Sequence, residues 1–327
     1  MKLPRRQFLH MALGAGVLPA LLRAANAQAY PTRPVRIIVP YAPGGSLDVF
    51  ARLVAQKLSE HLGKQFFVEN IPGAGGNIGM GRGARAAADG YTMLGVASLF
   101  VTNPIMYEAA TYDPVKDFDP VTLPLASPIM LTVHASLGVQ TVKDLVALIR
   151  ANPGKYSYAS AGTGTRNHFM GESFKQSLKL DLVHVPFNGG GFAVVSVLAG
   201  HTPVFFSTPP PALQHIKEGT LRALAVMSKA RSRILPDVPT MAEAGYPGFE
   251  GEEWFGIVMP AGTPKEIIAL LNREIVGIIA LPDIREHLAT LGFEPVAAAT
   301  PEAFAARIKA ETEQWGKVIQ AANLKSQ

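Results

Sequence analysis

Four glycine-rich segments are the residues best able to do chemistry in this chain: 42–46, 72–77, 161–165 and 187–191. Each follows a short apolar run and precedes a helical pattern. Glycine lets backbone approach a ligand closely. The first N–H groups of a helix lack intrahelical acceptors and favour negative charge. Neutral groups cluster beside these segments: Tyr41, Ser46, Ser98, Thr163, Thr165, Asn188 and Ser207. Such a set suits a carboxylate or another compact anion. Any one segment taken singly reads first as an ordinary strand-to-helix turn; the paired recurrence described below favours binding.

Other chemistries leave little trace. GRGARA (81–86) fits a dinucleotide-binding pattern, but it lies inside a helical stretch rather than directly after a strand. There is no Walker A loop, H-E-x-x-H motif or G-x-S-x-G elbow. The chain has no cysteine, which removes disulfides, thiolate metal sites and cysteine nucleophiles. Its eight histidines show no metal-ligand spacing. His184 alternates with Val183 and Val185, as a sheet residue would. His168 opens a helix after a glycine loop and either reaches a cleft or caps and packs locally. Arg166 reads as a clamp for a second carboxylate or as a solvated loop arginine. Trp254 reads as a cleft wall or as packing at a hinge. No enzyme activity, metal or cofactor is expected.

The elements that position these loops alternate between strand and helix, which argues for α/β architecture. A strand at 35–39 leads through a Pro-Gly loop into a helix with Leu47, Phe50, Ala51, Val54, Leu58 and Leu62 on one face. Ser46 reads as its N-cap, with Asp48 in the first turn. A strand at 65–69, a Pro-Gly loop, a small-residue helix to Ala88 and a strand at 91–97 follow. The same order recurs as a strand at 156–160, a glycine loop, a helix at 167–178, a strand at 182–185, a Pro-Gly loop, a helix to Leu198 and a strand at 204–206. Two repeats in one order predict two similarly built lobes. Segments 128–133 and 251–260 are the crossing candidates. Thr263-Pro264-Lys265-Glu266 reads as a capping box. A last helix from Thr300-Pro301, with Phe304, Ile308 and Trp315, is expected to pack back on the first lobe.

The first 29 residues read as a secretory signal: basic Lys2, Arg5 and Arg6, an apolar run at 11–22, and small-x-small cleavage sites ending at Ala27 and Ala29. Arg5-Arg6-Gln7-Phe8-Leu9 has the twin-arginine form. The apolar run is short of the ~20 residues of a membrane span. Lys2, Arg5, Arg6 and Arg23 supply four of the five net positive charges, so the mature chain is close to neutral. It lacks the basic, aromatic-interleaved stripe of a nucleic-acid binder. At ~150 residues per domain, 30–327 accommodates about two.

The segments PVRIIVPYAPGGSLD (34–48), VENIPGAGGNIG (68–79), DGYT (89–92), YDPVKDF (112–118), YASAG (158–162), VHVPF (183–187), LPDVPT (235–240) and WFG (254–256) resemble, in order, the substrate-binding proteins of tripartite tricarboxylate transporters, the Bug receptors. The resemblance spans essentially all of 30–327. It implies a two-lobed Venus-flytrap periplasmic binding protein, with two mixed α/β lobes joined by a hinge: lobe 1 from 30–130 plus 253–327, lobe 2 from 131–252. It implies a periplasmic location and a small mono-, di- or tricarboxylate ligand, aromatic acids included. The partners implied are the membrane components of a transporter, with the receptor a monomer. An extracytoplasmic sensor or an exported hydrolase using Ser46 or His168 is the alternative on the same fold.

The ligand-binding residues expected are Tyr41, Ala42, Gly44, Gly45, Ser46, Asp48, Ser98, Ala161, Gly162, Gly164, Thr165, His168, Phe187, Asn188 and Ser207. The family commonly places an Asp after the third strand of the second lobe, where this chain has Ser207. That departure implies a ligand without an amine.

Overall fold

A computed structural model describes residues 30–108, 110–297 and 299–321. The leader read at 1–29, with its cleavage sites, lies outside them. Val35–Val39 (β1) is β-branched and almost wholly buried, as expected for a strand covered on both faces. It feeds the helix Ser46–Leu62 (α1), whose buried stripe includes Leu47, Phe50, Ala51, Val54 and Leu58. Gly63 ends that helix in the left-handed region at φ 67°, with its N–H bonded to the Ser59 carbonyl. Phe66–Asn70 (β2), Asn77–Ala84 (α2), Thr92–Val96 (β3), Leu99–Met106 (α3) and Phe118–Pro128 (β4) follow.

Met130–His134 (β5) starts a second sheet. It is followed by Val142–Ala151 (α4), Ser157–Ser160 (β6), Arg166–Ser177 (α5), Val183–Pro186 (β7), Gly190–Leu198 (α6), Val204–Ser207 (β8), Pro209–Lys217 (α7) and Leu221–Val226 (β9). The chain then returns to the first sheet as Glu252–Pro260 (β10). Lys265–Ala280 (α8), Pro282–Thr290 (α9), Glu294–Pro295 (β11) and Pro301–Ala321 (α10) complete it.

The six-stranded sheet has the order β11-β4-β10-β3-β1-β2, and the five-stranded sheet β7-β6-β8-β5-β9. In each, a first strand pairs parallel with the two that follow it: β1 with β2 and β3, β6 with β7 and β8. In each, an antiparallel strand then joins the third: β10 beside β3, β5 beside β8. The duplicated order read in the sequence is therefore a duplicated sheet topology. Only Ile129 separates β4 from β5. Backbone bonds tie the two crossing segments together there. Ile129 N–H donates to the Gly251 carbonyl (3.1 Å), Met227 N–H to Ile129 (2.7 Å) and Gly251 N–H to Met227 (2.9 Å).

Period-2 alternation divides the second lobe's core between the two faces of its sheet. Leu131, Val133, Val204 and Phe206 pack with Ile149, Tyr158 and Phe174, whereas Met130, Ala159 and Phe205 pack with Ala193, Val197 and Ala212. Two local readings are corrected. Gly45, not Ser46, is the N-cap of α1. The capping box before α8 does not form: Thr263 Oγ1 donates to the Pro260 carbonyl and Pro264 occupies the cap position without a side-chain bond. No helix among the described residues is long and apolar enough to cross a membrane.

Candidate functional site: a cavity between two lobes

The loops after β1, β3, β6, β7 and β8 lie at the carboxyl ends of their strands, where open α/β sheets place ligands. They converge on one cavity enclosing about 50 Å³, room for a few water-sized groups. Its walls come from both lobes. From the first come Tyr41, Ala42, Gly45, Ser46, Leu47, Asp48, Ala97, Leu99, Glu253 and Phe255. From the second come Ala161, Thr165, Asn167, Gly189, Gly190, Phe205, Ser207, Thr208 and Pro211.

The lobes touch across it. Ala42 N–H donates to the Asn188 carbonyl (3.0 Å). The Ser46 and Thr208 hydroxyls share a 2.5 Å bond. Thr102 Oγ1 donates to the Gly164 carbonyl (3.0 Å), and Arg166 N–H to Ser98 Oγ (3.3 Å). A Cβ on Gly191 would stand 2.0 Å from the Pro43 carbonyl oxygen, so glycine is what allows this approach. The conformation is a closed one.

Of the residues expected from the sequence, Tyr41, Ala42, Gly45, Ser46, Asp48, Ala161, Thr165 and Ser207 line the cavity. The others, Gly44, Ser98, Gly162, Gly164, His168, Phe187 and Asn188, lie outside the lining. Gly44 N–H donates to Asp48 Oδ2 (2.9 Å). Asp48 also takes bonds from Arg52 and Asn70 (2.9 and 2.8 Å). Burial acts to raise its pKa, but these bonds outweigh it and hold the carboxyl below the usual range. Gly162 and Gly164 form the turn before α5, at φ 140° and 85°. Phe187 packs against the core of its own lobe, and Asn188 contributes its carbonyl to the lobe contact.

His168 is turned back on its own loop. Its Nδ1 accepts from Gly164 N–H (3.1 Å), and its ring stacks on His184 at 4.3 Å. Of the two roles open to it, the local one is realised. Burial pushes His168 down to about 4. Burial, with His168 beside it, pushes His184 down to about 3. Both rings are therefore neutral at pH 7.

Trp254 does not wall the cavity. It is fully buried against Phe304 of α10 and donates from Nε1 to Glu311 (3.1 Å). Arg166 is neither solvated nor in the cavity. It pairs with Glu311 at 3.3 Å and lies 4.5 Å over the Trp315 ring, and Trp315 stacks on Phe169 at 4.7 Å. The last helix, packed on β4 and α3 of the first lobe, thereby grips the start of α5 in the second.

Sequence reasoning missed Glu253. Strand alternation turns Trp254 and Gly256 toward α10 and Glu253 and Phe255 toward the cavity. Its Oε1 accepts Ser98 N–H (2.8 Å) and its Oε2 the Ser98 hydroxyl (3.0 Å). Burial holds its carboxyl above the usual carboxylate range, a rise that the Arg166 charge and the two Ser98 bonds reduce without cancelling. The cleft thus contains an acid despite Ser207, so the absence of an Asp there does not argue against an amine on the ligand.

Among the described residues no lysine, arginine or histidine lines the cavity. Charge for an anion must come from helix N-termini and hydroxyls. The Tyr41 and Ser207 hydroxyls are buried without a protein partner. Among the described residues no cluster of His, Asp and Glu could hold a metal ion.

Two α/β lobes closed over a small, loop-walled cavity define the class of two-lobed solute-binding proteins. The family model for the tripartite tricarboxylate transporter family receptor matches residues 50–324, and the chain belongs to that family. A curated relative from Pseudomonas sp. (strain P51), a UPF0065 protein in the tcbD-tcbE intergenic region, is 39% identical over 298 residues, covering 91% of this chain and 88% of the relative. The structure of the periplasmic binding protein BugD superposes with a TM-score of 0.86 at 34% identity, covering 91% of this chain and 100% of that one. R. palustris Rpa4515 with adipate gives 0.86 at 34% identity, covering 90% and 98%. MatC of Rhodopseudomonas palustris with bound malate gives 0.82 at 30% identity, covering 89% and 100%.

Proposed function

We propose that this chain is an exported receptor that closes its two lobes over a small carboxylate and delivers it, unchanged, to a tripartite-type membrane transporter. One observation carries the reading: strand-end loops of both lobes enclose a cavity whose donors are backbone N–H groups and hydroxyls. Charge-assisted bonds of this kind contribute roughly 1.5–3 kcal/mol each, so a few support micromolar binding. Structural neighbours hold small carboxylates, adipate and malate, which supports a carboxylate as the ligand class. Tyr41, Gly45, Ser46, Ala161, Thr165 and Ser207 are the proposed contacts. Lobe 1 comprises about 30–130 plus 253–327 and lobe 2 about 131–252; sheet membership supports this division to within a residue, since Met130 belongs to the second sheet and Glu252 to the first, with the crossings at Ile129 and Gly251. Export follows from the reading of residues 1–29 as a signal cleaved near Ala27 or Ala29.

A hydrolase needs an accessible nucleophile beside a base. Ser46 is bonded to Thr208, not to a histidine. A Ser–His contact does form near the site, Ser160 Oγ to His184 Nε2 at 2.7 Å, but Ser160 is fully buried and its hydroxyl is also engaged with Gly162. The test is calorimetric titration of the 30–327 chain against carboxylates, with recovery of the ligand by mass spectrometry. Binding with intact recovery is expected. Turnover, or no binding by any acid, overturns the proposal.

A further inference from the structure

We infer that Glu253 is a charge-selecting residue, and that the ligand of this chain carries a single carboxylate with no second anionic group. The inference rests on the carboxylate reading above and goes further by fixing the charge of the ligand. Glu253 is 5% exposed and lines the cavity on the first-lobe side. Both of its oxygens accept from Ser98, the backbone N–H at 2.8 Å and the hydroxyl at 3.0 Å, a pattern that suits an ionised carboxylate. The groups around it are Arg166, Glu311 and Ser98. Arg166 is already committed to Glu311 and to the Trp315 ring, so it is not free to neutralise a second ligand carboxylate.

The other acid in the wall, Asp48, is held by Arg52, Gly44 and Asn70. Among the described residues no cationic side chain lines the cavity. Leu99, Phe205, Pro211 and Phe255 add apolar lining beside the neutral Asn167, Ser207 and Thr208. One carboxylate can be met by helix N-termini and the unpartnered Ser207 hydroxyl. A second would lie in a confined, water-poor space with Glu253, and like carboxylates sharing such a site cannot both stay ionised without cost.

The test compares pentanoate with glutarate, acids of equal chain length that differ in the second carboxylate. Calorimetric titration of the 30–327 chain at pH 7.5 is expected to show pentanoate binding tighter by about tenfold or more, the effect of one pKa unit of like-charge repulsion. Glu253→Gln removes the charge while keeping size and shape. It is expected to raise glutarate affinity and shrink the ratio to within about threefold, under half of one pKa unit. A merely structural role would weaken both acids together and leave the ratio intact, and a melting curve of the variant checks its fold. Glutarate binding the unsubstituted chain as tightly as pentanoate overturns this inference and leaves the carboxylate receptor standing. If neither acid, nor any acid of the wider panel, binds, both fail.

Discussion

Alanine at Gly191 is expected to hold the lobes apart. The added Cβ would sit 2.0 Å from the Pro43 carbonyl oxygen, 3.1 Å from its carbon and 3.3 Å from Gly45 N, all backbone atoms of the opposite lobe. Real Cβ contacts stay beyond about 3.0 Å, so the loops must part by about an ångström. Overpacking of this kind costs about 1–3 kcal/mol. In the open form the methyl meets no such wall, and the whole cost falls on closure. A ligand that binds the closed form loses affinity by the same amount, roughly 5- to 140-fold. Thermal stability of the free chain should hold, since alanine favours the first turn of α6 over glycine. Calorimetric titration with the best acid of the panel reads the affinity, and a melting curve reads the fold. Gly277→Ala on α8 is the control: its Cβ meets nothing within 4 Å, so it should raise the melting temperature slightly without changing affinity. Gly191→Ala with unchanged affinity would refute the reasoning, because ligand capture would then not require this lobe contact.

Ser207→Ala deletes a buried hydroxyl without a protein partner. The free chain should melt at the same temperature or higher, while carboxylate affinity falls about tenfold, the value of one charge-assisted bond; titration and melting curves check both signs. Arg166→Ala and Glu311→Gln, at an ion pair whose side chains are 13% and 11% exposed, should show a coupling of about 1–3 kcal/mol in a double-mutant cycle on ligand affinity. His168 and His184 are held near 4 and 3 in the folded chain against 6.5 in the unfolded one, so the unfolded state binds protons first. Their contribution is fully present above pH 6.5 and is lost as pH falls toward 4. Denaturant titrations should show stability dropping between pH 6.5 and 5 by up to about 1.4 kcal/mol per unit per histidine, less steeply in His184→Gln.

Much of this arrangement is legible in the sequence because glycine and β-branched residues carry their own backbone geometry. The run VRIIV could only be a buried strand, and the glycines at 44–45 and 162–164 announce turns that aim helix N-termini at a common region. What was not legible depends on tertiary register. In EEWFG the aromatic residue draws attention, yet which face of β10 meets the cavity is set by pairing with β3 and β4, and that register selects Glu253 and Phe255. The bond between Ser46 and Thr208 joins residues with no local relation, and so does the grip of Glu311 and Trp315 on Arg166. His168 was ambiguous because a ring at a helix start can turn outward or fold back, and only the Gly164 N–H and the His184 ring decide it.

The position of β10 has a consequence for how the chain is made. It is a middle strand of the first sheet, between β3 and β4, yet it is encoded after the whole second lobe. During synthesis the second lobe, one continuous run from β5 to β9, is complete before the first can be. Until residue 260 has emerged, β3 and β4 present unpaired edges, the kind of surface that templates pairing with other chains. A ribosome stalled before residue 252 would release a chain with one finished lobe and one split sheet. The order of the gene thus makes the late-arriving strand the step that separates a foldable receptor from an aggregating fragment.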